Sequence, residues 1–361
     1  MTCYIIILCI LFVVTQIYRP CNNGKKNKLV SPTNNYLMDV AVCGIVFIIL
    51  WFIEGFRYEI GTDYSTYVNA FEWQKEGYDA YWLDFELGYV ILSDLIAFFF
   101  NSNRFLFIIT AFITLYFVVK TYRENSVDWM FSLFLYCTLY FYFHSFNTVR
   151  NSIAMVIFIS SFSDIRDRKL LNYLFKILLA ALFHRTIIIV APFYFIATKR
   201  FKTSTYSIIV VLWLLVWLLY DKILQVALYF FPKYSLYTEY KGGSSWVYII
   251  VMAFNLLLLM LVSRKKNLIP DNFERQFNIF LNAALLAIGL FGFSSMNVLL
   301  SRFAMFFALF STLSLPFCVE YSNIKERRLL KIIICILMFG CCIYFLTNNV
   351  GGVVPYQYKL G

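Results

Sequence analysis

Ser207-Ile208-Ile209-Val210-Val211-Leu212-Trp213-Leu214-Leu215-Val216-Trp217-Leu218-Leu219-Tyr220 carries no charge and no alternation. A membrane β-strand alternates apolar and polar positions over roughly 9–11 residues, so this run is not one. An unbroken apolar stretch enters lipid as a helix, which satisfies its own backbone hydrogen bonds. Twelve further stretches of this kind fill the chain, near 4–19, 37–53, 86–100, 104–120, 129–143, 150–163, 170–183, 185–198, 246–262, 277–293, 298–318 and 331–347. Helical spans need about 17–25 predominantly apolar residues. The sequence therefore predicts an all-α polytopic membrane protein with 12 or 13 crossings, a single integral membrane domain over 1–361.

Composition agrees. Apolar residues make up 61% and charged residues 14%, with mean hydropathy +0.72, against about 45–50% and roughly 25% in soluble domains. The net charge of +11 is a topology signal and not a nucleic-acid footprint, because 20 of the 31 basic residues gather in a few loops. These are Arg19, Lys25, Lys26 and Lys28; Lys120 and Arg123; Arg166, Arg168 and Lys169; Lys199, Arg200 and Lys202; Arg264, Lys265, Lys266 and Arg275; and Lys325, Arg327, Arg328 and Lys331. Such loops stay cytoplasmic, which places both termini outside. Residues 1–17 have neither the basic start nor the small-residue cleavage site of a signal peptide. The nine cysteines show no metal spacing and read as small apolar core residues.

Charge parity leaves one conflict. Residues 54–85 fall outside and Lys120 inside, yet two apolar segments, 86–100 and 104–120, lie between. Asp94 interrupts the first, on one face with Glu86, and a carboxylate within a span is costly unless it lines a cavity. The sequence thus predicts a re-entrant or tilted half-helix over 86–100, with thirteen crossings and one misplaced basic loop as the rival.

The polar residues collect at the outer ends of the spans. The large outer loop 54–85 and Glu86 hold eight acidic residues against Arg57 and Lys75, interleaved with Tyr58, Tyr64, Tyr67, Trp73, Tyr78, Tyr81 and Trp82. These aromatics read equally as an interfacial belt or as a stacking surface for sugar rings. Arg57, Arg150, Arg185 and Arg302 are positive charges where positive charge is disfavoured. Arg150 opens a helix, whose N-terminus itself attracts anions, so the four read as a phosphate or pyrophosphate site with membrane anchoring as the alternative. His184 beside Arg185 is a candidate general base and otherwise a structural hydrogen-bonding group; Asp63 is the competing base. In a second outer loop, 221–245, Lys233 is either a phosphate contact or a loop charge, and Tyr237 lies near it. The span interiors hold little charge besides Lys176. No P-loop, Asp-x-Asp, zinc-helix or Gly-x-Ser-x-Gly signature occurs, so nothing requires a nucleotide, a metal or a covalent serine, and no cofactor is expected.

Four short motifs carry a resemblance. They are Arg57-Tyr58-Glu59-Ile60-Gly61-Thr62-Asp63-Tyr64, Phe85-Glu86-Leu87-Gly88-Tyr89, Asn147-Thr148-Val149-Arg150-Asn151-Ser152-Ile153-Ala154 and Ala181-Leu182-Phe183-His184. In this order the chain resembles the EpsG-type family of Wzy-like polysaccharide polymerases over roughly 50–200, with Arg302 as a weaker echo. The resemblance implies an architecture like that of the GT-C glycosyltransferases, in the bacterial cytoplasmic membrane. It implies a substrate as well, an undecaprenyl-pyrophosphate-linked oligosaccharide bound for O-antigen, capsule or exopolysaccharide, and membrane lipids and a chain-length regulator as partners. His184, Asp63 and Arg150 are then the candidate catalytic residues. Arg57, Tyr64, Glu86, Asn147, Arg185, Lys233, Tyr237 and Arg302 are the candidate substrate contacts. Two rivals stay open: a lipid-linked sugar transferase or ligase with Asp63 as base, and a lipid-oligosaccharide flippase, which would spread its polar residues through the membrane.

Overall fold

The computed structural model describes residues 1–18, 32–78, 85–230, 245–264, 273–294, 298–322 and 324–359. Each of the thirteen apolar stretches is a helix or a broken run of helices. In chain order these are α1 (Thr2–Ile17), α2 (Pro32–Gly55), α3 (Tyr64–Lys75), α4 (Leu87–Phe100), α5 (Asn103–Asn125), α6 (Trp129–Thr138), α7 (Phe141–His144), α8 (Val149–Ser160) and α9 (Phe162–Arg166). There follow α10 (Leu170–Ala181), a 3₁₀ turn over Arg185–Val190, α11 (Phe193–Ala197), α12 (Thr203–Leu218), α13 (Tyr220–Phe230), α14 (Ser245–Arg264), α15 (Glu274–Phe293), α16 (Val298–Ala308), α17 (Ser311–Glu320) and α18 (Ile324–Thr347). The only extended pairing among the described residues is one antiparallel bridge between Arg57 and Tyr358. The protein is an all-α polytopic membrane protein.

Span length divides the helices. Among the described residues six are long and apolar enough to cross a membrane alone: Leu37–Gly55, Asn103–Asn125, Trp246–Ser263, Glu274–Phe293, Leu300–Glu320 and Arg327–Thr347. Val211–Leu218 and Tyr220–Phe230, bent by 69°, make a seventh if they count as one span. Five other apolar helical segments, α4 among them, have only 10–17 residues. At 1.5 Å per residue the 14 residues of α4 rise about 21 Å, short of the roughly 30 Å of a hydrocarbon core. Apolar runs in the sequence therefore outnumber full-length spans, because several runs break into short helices.

The chain forms two compact units. The first holds residues 1–164, 171–188 and 322–361 and has two polar ends. At one end Asp39, 6% exposed, accepts from the Tyr18 hydroxyl, from Trp129 Nε1 at 3.0 Å and from Arg123 Nη2 at 2.7 Å, and so ties α2, α5 and α6 to the end of α1. Lys331 of α18 donates there to Asp128 at 2.6 Å and to the Thr15 carbonyl. Two bases that the charge pattern places on one face, Arg123 and Lys331, thus share an end of the unit. At the other end the Tyr4 hydroxyl donates to the Val353 carbonyl at 2.9 Å, so the start of α1 and the C-terminal segment meet. Between the two ends α2 and α5 run antiparallel: Asp39 pairs with Arg123, and Gly55 abuts Ile108, whose Cα lies 3.1 Å from where a Cβ on Gly55 would stand.

α3 and α4 lie together at that second end. Gln74 Nε2 donates to the Val90 carbonyl at 3.1 Å and to Asp94, so Asp94 pairs with α3 and does not share a pocket with Glu86. Tyr67 of α3 packs on Phe85, just before α4, and Lys75 at the end of α3 donates to the Asn101 carbonyl just past α4, at 3.4 Å. Both ends of α4 are therefore beside a 12-residue helix. Lys176, the lone charge that the sequence puts inside a span, reaches back to Asp164 at 2.7 Å and to the Ser160 carbonyl at 2.9 Å.

The second unit holds 165–170 and 189–321. There Asn282 of α15 donates to the carbonyls of Ile196, Ala197 and Lys199, capping α11 from the side, and Ser314 donates to Asn255 at 2.6 Å.

Removing one partner of a buried, hydrogen-bonded charge leaves the others desolvated. Asp39→Ala is expected to lower stability by about 3 kcal/mol, read as a fall in the thermal unfolding midpoint of purified protein; an unchanged midpoint would mean that the Asp39 network holds nothing together.

Candidate functional site

Glu86 stands at the N-terminus of α4 with its side chain 8% exposed. Gly88 brings it there. The Gly88 N–H donates to the Leu182 carbonyl at 2.8 Å, and a Cβ on Gly88 would sit 2.7 Å from the Leu182 Cβ. Only glycine lets the start of α4 lie this close to the Ala181-Leu182-Phe183-His184 segment.

Four groups converge on the carboxylate as a result. Arg150 Nη1 pairs with Oε2. The Arg185 backbone N–H donates to Oε1 at 3.1 Å, and Arg185 Nε lies 3.9 Å from the same oxygen. His184 Nδ1 is 3.3 Å from Oε1, out of line for a hydrogen bond. Burial pushes the Glu86 carboxyl up, but the adjacent His184 ring, the Arg150 charge and the Arg185 N–H outweigh it and hold the carboxyl at about 2. It is an anion at neutral pH.

Arg150 opens α8, after Thr148, where helix N–H groups and the macrodipole add positive potential. Its guanidinium lies 4.2 Å over the Phe85 ring, within cation–π range, and interacts electrostatically with the hydroxyl of Tyr67. Tyr67, Phe85 and Tyr89 form a buried aromatic floor, with ring centroids 5.2–5.9 Å apart. Asp63, at the start of α3, is half-buried and acts electrostatically on Tyr67. Arg185 is the outermost member, with 48% of its side chain exposed.

The remaining candidates go elsewhere. Arg57 is 4% exposed: Nη1 donates to the Glu54 carbonyl at 2.5 Å and Nη2 to the Phe146 carbonyl at 3.3 Å, between the rings of Phe107 and Phe146. It is a core strut and no surface phosphate contact. Asn147 clamps two loops, donating to the Gly351 carbonyl at 2.8 Å and accepting from Thr62 Oγ1 at 3.0 Å and from the Asp63 N–H at 3.4 Å. Gly61, at φ +101°, keeps that space open, since a Cβ there would stand 2.8 Å from Asn147 Oδ1. Tyr64 stacks on Phe107 at 4.6 Å and is buried, so it offers no ring to a sugar; among the described aromatics of 54–85, Trp73 and Tyr78 are exposed. Arg302 belongs to α16 of the second unit. Lys233 and Tyr237 lie outside the described residues, as does most of 221–245 beyond α13.

The four motifs are thereby two structures. One is the Glu86 cluster with Arg150, His184 and Arg185. The other is the Arg57–Asn147 scaffold beneath it. Sequence reading missed the floor under Arg150 and the closure by Gly88; the glycine two residues after Glu86 was the available signal for the second.

The chain belongs to the EpsG family of Wzy-like polymerases, whose family model matches residues 40–358. It is a multi-pass membrane protein with a function of the polysaccharide polymerase type. No curated protein and no solved structure matches the chain.

Gly88→Ala forces Glu86 away from His184 and Arg185 and is expected to reduce polymer formation at least about tenfold, since a misplacement of about 1 Å can cost on the order of 10²-fold; full polymer length in normally expressed Gly88→Ala would uncouple that contact from function. For Glu86 the folded value is depressed, so its stability contribution is complete above the ordinary 4.5 and lost only as pH falls toward about 2. A pH titration of unfolding should accordingly show no loss from Glu86→Gln that grows between neutrality and 4.5; a loss that changes steeply in that window would contradict a Glu86 that stays charged through it.

Proposed function

We propose that the protein is a glycosyltransferase that joins undecaprenyl-pyrophosphate-linked oligosaccharide units at the outer face of the bacterial cytoplasmic membrane. The glycan on one lipid pyrophosphate is the donor, and a sugar hydroxyl of a second lipid-linked unit is the acceptor. One observation carries the reading: a single buried carboxylate, Glu86, holds a histidine and two arginines at one end of the helices of the first unit.

Chemistry follows from that arrangement. The Glu86 negative charge 3.3 Å from Nδ1 favours the His184 tautomer with its proton on Nδ1, which leaves the Nε2 lone pair to take a proton from the acceptor hydroxyl. The hydroxyl oxygen then bonds to the anomeric carbon as the bond from that carbon to the pyrophosphate oxygen breaks. Charge develops on the departing pyrophosphate. Glu86 cancels one of the two guanidinium charges, so with His184 neutral the cluster keeps a net single positive charge, a preorganised partner for that anion. Arg185, the more exposed, is placed to meet phosphate directly, and Arg150 supports it from the aromatic floor. A flippase would need charge along a path, whereas Lys176 is engaged by Asp164.

His184→Ala is expected to cost on the order of 10²–10⁴-fold in single-turnover transfer while donor-lipid binding is kept. Near-normal transfer would move the base to Asp63, and Asp63→Asn would then be the inactive variant. Arg150→Lys should lower polymerisation at least about tenfold despite its charge, because an ammonium cannot reproduce a planar fork shared by Glu86, Tyr67 and the Phe85 face; wild-type chain length would reduce Arg150 to an anchor.

A further inference from the structure

The second unit contains a cavity of about 760 Å³ that the polymerase reading does not use. Its wall is a stripe along α15, Phe277, Leu281, Leu285, Ile288 and Gly292, closed by Trp213 and Trp217 of α12 and by Leu256 and Met260 of α14. The lining has two polar side chains, Arg200 and Ser263. Both are at one end. Arg200 precedes α12 and lies 3.8 Å from Glu274, the first residue of α15, and Ser263 is at the last turn of α14, which packs against α15. From Phe277 to Gly292 the wall is apolar, about 22 Å of helix rise, which exceeds the roughly 15 Å depth of one leaflet.

Glycine shapes the far end. Trp213 fills the space over Gly289, where a Cβ would meet its ring at 2.3 Å, but a Cβ on Gly292 would meet nothing within 4 Å. The cavity is thus open at Gly292 and runs from there along α15.

We propose that this cavity binds an anionic glycerophospholipid, with one acyl chain along α15 and the phosphate at Arg200. A long apolar slot with one basic end matches a hydrocarbon chain with one negative head. The Arg200–Glu274 pair is weak, since about half of each side chain is exposed and solvent screens such pairs, so a phosphate displaces it at little cost. The basic run Lys199, Arg200 and Lys202 puts the Arg200 end of the cavity on the cytoplasmic side by the positive-inside rule. The occupant is accordingly a phospholipid of the inner leaflet and not the lipid-linked donor, whose head is outside. The site is independent of the Glu86 cluster.

Native mass spectrometry of the purified full-length protein, titrated with phosphatidylglycerol or phosphatidylcholine, tests this. The wild type should retain phosphatidylglycerol at least about tenfold more strongly than phosphatidylcholine. Arg200→Gln should abolish that preference, and Gly292→Leu, whose side chain has room to enter the slot, should lose both lipids while thermal unfolding without added lipid stays within a few degrees of the wild type. Equal retention of the two lipids by the wild type, undiminished phosphatidylglycerol binding by Gly292→Leu, or stronger retention of undecaprenyl phosphate than of phosphatidylglycerol would each overturn the proposal.

Discussion

A carboxylate removed from water needs partners, and the site of this protein is organised by how Glu86 finds them. An ionised acid in a low-dielectric setting is costly unless paired and hydrogen-bonded. Glu86 takes a guanidinium from α8, a backbone N–H from Arg185 and a close imidazole from His184, so two segments distant in sequence from it are fixed to one pair of oxygens. The cost of burying the charge thus becomes positional accuracy for the groups around it.

The supporting layer explains why the cluster can be so exact. Gly88 lets two backbones touch, the Tyr67–Phe85–Tyr89 floor fixes Arg150 from below, and Asn147 joins the Gly61–Asp63 turn to the C-terminal Gly351. Beneath them Arg57 spends its donors on main-chain carbonyls. Groups held in this way need little reorganisation when charge moves, which is how preorganised dipoles favour a transition state. At the opposite end of the first unit the Asp39 and Lys331 networks tie α1, α2, α5, α6 and α18.

Much of this was legible in the residues themselves. Unbroken apolar runs such as 207–220 require helices, and basic loops group Arg123 with Lys331. Arg150 and Arg185 stood out as cations and His184 as a candidate base, and the structure joins them around Glu86. Two kinds of information were not readable. Run length does not reveal where a helix breaks: Tyr140 turns the chain at φ +71° between α6 and α7, and Pro192 starts α11 anew, so runs that read as spans become short helices. A residue type also does not say which way its side chain faces. Arg57, Tyr64 and Asn147 have the chemistry of ligand contacts but are spent on carbonyls, a ring and two loops. Glu86 has the chemistry of a sugar contact, yet its oxygens are taken by the very residues proposed to do the work.

The most direct test is a double-mutant cycle on Glu86 and His184, read as single-turnover transfer of a lipid-linked donor to its acceptor. Because Glu86 holds His184 as well as the two arginines, the two changes are strongly non-additive: the double variant should be slower than His184→Ala alone by far less than Glu86→Gln slows the wild type. Additive losses, with the double variant slower than either single change by the product of the two, would show that Glu86 and His184 act separately and would contradict the account.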